Sequence, residues 1–91
     1  MTDYNEFPPI KCFMRVLKNC PKSALIYAQL WKTKGDHPTL RIDKRDIRKE
    51  YFISPTIFRN LLIPLTDLYL VTFYEIAGNF QIWVNGSQQN D

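Results

Sequence analysis

Apolar side chains recur at helical spacing over the first two thirds of this chain and at strand spacing over the last third. After Pro8-Pro9, Ile10, Phe13, Met14 and Leu17 fall at i, i+3, i+4 and i+7, which predicts one face of a helix. Asn19-Cys20-Pro21 interrupts it: Asn19 is a good N-cap residue, and a proline suits the first helical position because its missing N–H has no partner there anyway. Ala24, Leu25, Ala28, Leu30 and Trp31 then predict a helix apolar over most of its circumference, hence the central one. Lys32-Thr33-Lys34-Gly35 ends it, with cations in the last turn and Gly35 at the left-handed C′ position.

Leu40-Arg41-Ile42 alternates as a short strand. Asp43 caps a charged helix over Lys44 to Tyr51, with Asp46 at the N3 position of a capping-box variant. Only Ile47 and Tyr51 are apolar there, so this helix meets the core along a thin line. Ser54 and Pro55 are the cap and first residue of another helix with an apolar stripe of Phe58, Leu61, Leu62 and Leu65. Thr56, Ile57, Arg59, Asn60 and Ile63 point elsewhere. Pro64 costs a helix interior about 3 kcal/mol, so the helix either ends near Leu62 or kinks and is carried on by the packing of Leu65 and Leu68. Leu68 to Ile76 and Phe80 to Val84 read as two strands joined through Ala77-Gly78-Asn79, with Phe80, Ile82 and Val84 on one face and Gln81 and Trp83 on the other. The expected class is α+β, with three to four helices, a small antiparallel sheet and a C-terminal hairpin. The expected division is a flexible arm over 1–9, one domain over 10–84 and a disordered tail over 85–91.

Composition narrows the functional classes. Ninety-one residues with 45% apolar and 14% aromatic side chains describe a single folded domain and exclude a disordered chain. No apolar run approaches the ~20 residues of a membrane span, and the acidic start Met1-Thr2-Asp3-Tyr4-Asn5-Glu6 carries no signal-peptide h-region. The expected setting is cytoplasmic, without a membrane partner. Cys12 and Cys20 match no zinc spacing, and a reducing compartment makes them small hydrophobes, a disulfide being the alternative. His37, in the turn Asp36-His37-Pro38, is expected as an exposed loop residue. The carboxylates are scattered and no glycine-rich phosphate loop is present, so neither an enzyme nor a cofactor or metal is expected.

The net charge of +3 hides an asymmetry. All twelve Lys and Arg lie between Lys11 and Arg59, whereas the last third holds Asp67, Glu75 and Asp91 and no base. Such a field directs an anionic partner to the first two thirds of the chain. Lys11, Arg15 and Lys18 form a basic stripe that is either a solvated face or a contact for phosphate or a partner.

From Ile47 to Val71 the chain resembles the winged helix-turn-helix superfamily of DNA-binding domains. Ile47, Ile53, Ser54, Phe58, Leu62, Leu65 and Leu70-Val71 fall on that pattern without a gap. Pro21-Lys22-Ser23-Ala24-Leu25-Ile26-Tyr27-Ala28-Gln29-Leu30 is similar to the first helix of the DNA-binding domains at the N-termini of plasmid and phage replication initiators. The chain departs from the pattern at Arg48, where alanine is usual, and at Phe52 and Tyr69, where glycine is usual. The hairpin tip has no basic residue.

The resemblance implies that the second helix of the motif enters the major groove of double-stranded DNA. Thr56, Ile57, Arg59 and Asn60 would then face DNA, Arg59 taking guanine O6/N7, Asn60 adenine N6/N7 and Ile57 a thymine methyl. Ser54, Lys44, Arg45, Arg48 and Lys49 would hold phosphates and set register. It implies a small transcriptional regulator or replication-associated factor of a plasmid, phage or other mobile element. The alternative is a winged helix that docks protein without reading DNA. The aromatic hairpin (Tyr69, Phe73, Tyr74, Phe80, Trp83) must leave some rings outside the core, which suits a homodimer through the hairpin or the N-terminal helix.

Overall fold

A computed structural model describes residues 7–85. In chain order these form α1 (Ile10–Asn19), α2 (Pro21–Lys34), β1 (Thr39–Asp43), α3 (Lys44–Tyr51), α4 (Pro55–Asp67), β2 (Val71–Ile76) and β3 (Asn79–Val84). The class is α+β: four helices and one antiparallel sheet of three strands in the order β1-β3-β2. Residue Phe80 of the middle strand pairs with Ile42 on one side and Glu75 on the other. Among the described residues no helix is long and apolar enough to cross a membrane. Of the expected arm and tail, 1–6 and 86–91 lie outside the described residues. Within the arm, Pro8 is buried and the Phe7 ring lies 4.9 Å from that of Phe13.

Strand alternation places Ile42, Val71, Phe80, Ile82 and Val84 on the inner sheet face, where all are buried under the helices. Tyr27 and Leu30 of α2, Ile47 of α3 and Phe58, Leu62 and Leu65 of α4 close the core from the other side. A row of rings crosses it: Tyr51 to Phe58 at 4.9 Å, Phe58 to Phe80 at 5.1 Å and Phe80 to Phe73 at 6.1 Å between centroids. Each fully buried side chain of this size contributes about 1.5–3 kcal/mol. The buried Ser23 hydroxyl donates to the Leu61 carbonyl at 2.7 Å, which ties α2 to α4 and satisfies the hydroxyl.

Several expectations change. In α1 the core takes Val16, with Cys12 and Phe13 packed beside it, while Ile10, Met14 and Leu17 face outward. Leu25 of α2 is likewise exposed, and Ile26 and Tyr27 take its place inside. Asn19 is the last residue of α1 rather than a cap of α2: its side-chain amide donates to the Arg15 carbonyl, and Cys20 occupies the N-cap position. Both cysteines are free thiols. Pro64 does not end α4, which runs on to Asp67 with Leu65 fully buried. The helical repeat sets Pro64 away from the Phe58/Leu62/Leu65 side, and Asn60, whose carbonyl loses its bond, is exposed to water. The second-last strand therefore begins at Val71 rather than Leu68, and the hairpin turn is the two residues Ala77-Gly78, both at positive φ (48° and 82°).

Two helix ends are built with aromatic residues where glycine is the usual choice. Phe52 closes α3 at φ 61° and ψ 29°, its N–H donating to the Arg48 carbonyl. Tyr69 follows α4 at φ 60°. There the Tyr69 N–H reaches the Thr66 carbonyl at 3.0 Å and the Leu70 N–H the Leu65 carbonyl at 2.9 Å, the paired bonds of a Schellman motif. Both side chains are exposed (86% and 85%), so burial offsets none of the left-handed strain. Phe52→Gly or Tyr69→Gly is expected to stabilise the domain by about 0.5–1 kcal/mol each. A denaturant titration in which either variant unfolds earlier than the wild type would contradict this geometry.

Candidate functional site

β1 runs straight into α3, with Asp43 ending the one and capping the other. Its Oδ1 accepts the Arg45 N–H at 2.8 Å. The Lys44 N–H donates to the Gly78 carbonyl at 3.0 Å, which fastens the start of α3 to the hairpin turn. The same register brings Glu75, one residue before the end of β2, over the N-terminal half of α4.

Glu75 is the hub of the charged cluster that results. Period-two alternation puts it on the inner sheet face behind Val71 and Phe73, an unusual place for a carboxylate. It finds two cations there. The Arg59 guanidinium grips it side-on, Nε to Oε2 and Nη2 to Oε1, the latter at 2.8 Å. Lys44 Nζ lies 2.7 Å from Oε1. The Arg59 bonds and then the Lys44 bond hold the Glu75 carboxyl well below the ordinary range, at about 2, and the same bonds raise the Arg59 pKa. Two cations around one anion leave the cluster positive, and it remains open to solvent, with Arg59 37% and Lys44 33% exposed at the side chain.

The residues singled out from the sequence divide into four groups. Thr56, Ile57 and Asn60 are exposed on α4. Thr56, Asn60 and Ile63 lie on its outer side, away from Phe58, Leu62 and Leu65, whereas Ile57 sits on the other flank, apart from Arg59. Ser54 is half-buried and caps α4, its Oγ accepting the Ile57 N–H at 3.2 Å, so its hydroxyl is committed to the helix start. On α3, Arg48 and Lys49 are exposed and make no ion pair among the described residues. Arg45 is paired with Asp43 at 3.1 Å but stays open, with its side chain 88% exposed. Lys44 and Arg59 meet on one carboxylate, so the first residue of α3 and the N-terminal half of α4 share one side of the molecule.

Glu75 was not among the candidates drawn from the sequence. The acidic last third looked like a region an anion avoids, yet the order Val71, Phe73, Glu75 already placed a charge on the buried face of a strand. Such a group needs a cation, and only distant segments of the chain could supply one.

On the outer sheet face Tyr74 and Trp83 pack with ring centroids 5.2 Å apart, and Ile76 is 53% exposed. Arg41 Nε donates to Gln81 Oε1 at 3.3 Å on the same face. Among the described residues no three of His, Cys, Asp and Glu come together as metal ligands. No protein-family model, no curated protein and no solved structure matches this chain.

Proposed function

We propose that the chain is a winged helix-turn-helix protein that binds double-stranded DNA, with α4 as the helix that enters the major groove. The observation that carries this reading is the meeting of Arg59 with Lys44 beside the hairpin. In this reading it sets a base-reading donor, Arg59, beside the start of α3, whose Lys44 holds phosphate. The strand order β1-β3-β2 and the helix order agree with that fold. Further support comes from Phe52 and Tyr69, which take positive φ at the two positions where the superfamily carries glycine. In this reading Arg59 and Asn60 read base edges and Thr56 borders them. Lys44, Arg45, Arg48 and Lys49 hold phosphates, and Ser54 acts by fixing the start of α4. A role as a regulator or replication factor of a plasmid, phage or other mobile element follows from the resemblance of the Pro21–Leu30 stretch.

The test is a fluorescence anisotropy titration of duplexes selected from a random pool, with the wild type and Arg59→Ala. Arg59→Ala is expected to lose roughly 5- to 150-fold in affinity for the selected duplex and much less for random duplex. Equal binding by both proteins removes Arg59 from the interface. No binding by either at low salt favours the second reading, a protein-docking module or homodimer, for which the exposed Tyr74 beside the half-buried Trp83 and the outward Ile10, Met14 and Leu17 speak.

A further inference from the structure

We infer that Glu75 is a specificity-determining positioning residue: it holds the Arg59 guanidinium side-on, so that the free end of the fork is presented to guanine. The inference rests on the DNA-binding reading above and adds to it a residue outside the helix that enters the groove.

A guanidinium has five N–H donors in one plane. The Glu75 carboxylate takes Nε–H and one Nη2–H. Three donors remain, and one each from Nη1 and Nη2 point in parallel off the end of the fork. That pair matches the O6 and N7 acceptors of guanine in the major groove. Arg59 can therefore keep its carboxylate and grip a base together, which an Arg held end-on by its partner could not do. Lys44 Nζ on Oε1 fixes the rotation of the carboxylate from the other side, and the extra cation offsets the cost of bringing an anion near DNA. An unheld arginine would lose rotamer freedom on binding and would adapt to phosphate or to several bases. The held one keeps a single orientation and favours the one base that presents two acceptors to it.

Charge and position are separated by two variants. Glu75→Gln keeps the shape and removes the charge. Glu75→Asp keeps the charge and draws the carboxylate back by one methylene. Each is put, beside the wild type, through selection from a randomised duplex pool, followed by competition with a duplex in which the preferred guanine is replaced by adenine. Thermal melts report folding. The wild type is expected to prefer guanine at one position, and both variants to lose roughly tenfold or more of that preference. Glu75→Gln should bind random duplex more tightly than the wild type, because an anion has left the surface, and Glu75→Asp should not. Arg59→Lys, with the charge retained but no fork, should lose the same preference, and it tests the idea even if a Glu75 variant does not fold.

A guanine preference that survives in both Glu75 variants overturns the role of Glu75 and leaves DNA binding intact. Tighter binding to every duplex with the preference unchanged also overturns it, since Glu75 would then only mask Arg59. So does a wild type that binds duplex with no guanine preference. A wild type that binds no duplex at low salt instead overturns the DNA-binding reading, and this inference falls with it.

Discussion

Phe58→Ala is expected to cost about 3–5 kcal/mol, the range for removing a large aromatic side chain from a packed core. Phe58 is fully buried, and its ring lies between those of Tyr51 and Phe80, so it joins α3, α4 and the middle strand at one point. The neighbours that would have to move into the space come from three separate elements, and none can collapse without drawing its own helix or strand along. Domains of this size hold about 5–15 kcal/mol in total, so the loss should lower the midpoint of thermal unfolding by roughly 15–30 °C. Ile57→Ala, one residue earlier but 47% exposed, should cost under about 1 kcal/mol and serves as the control. Similar melting curves for the two variants would mean that α4 does not pack on the sheet through this side.

The second large effect is on salt dependence. Each phosphate held by a cation contributes about 0.9 to the slope of log affinity against log salt. Arg48 and Lys49 are exposed, and the Arg45–Asp43 pair is so open that Arg45 can exchange its partner for a phosphate at little cost. Lys44 sits on the more enclosed Glu75 and is a fourth contact only where it leaves that carboxylate. Three to four contacts predict that affinity for random duplex falls roughly 40- to 150-fold between 50 and 200 mM salt. Lys49→Ala should reduce the slope by about 1 without changing sequence preference. A slope near zero would remove α3 from any nucleic-acid contact.

Much of the architecture is legible along the chain because the signals are local and agree with one another. Lys44 to Tyr51 is a helix in the structure with the boundaries its cap and its pattern imply, and Ser54-Pro55 starts α4 as the capping rules require. Ser54 is legible as a cap and for that reason is a weaker candidate for phosphate. Pro64 shows the limit of local rules. A proline alone argues for a helix end, but burial of Leu65 in the core outweighs the lost hydrogen bond and carries the helix another turn. α1 is ambiguous for a different reason. Its apolar residues cover two overlapping arcs, and only the presence of α2 alongside selects the one with Val16.

The amino-acid sequence by itself determined the order of helices and strands, the caps Asp43 and Ser54, and the concentration of positive charge before residue 60. These depend on neighbours within a few residues, where spacing and side-chain chemistry are sufficient. Tertiary structure alone decided which arc of α1 is buried, and that Phe52 and Tyr69 take left-handed conformations despite their side chains. It also decided that Glu75 stands between Arg59 and Lys44. That last meeting brings together a strand and two helices, and only the packing of the sheet against α4 closes the sixteen-residue gap between Arg59 and Glu75.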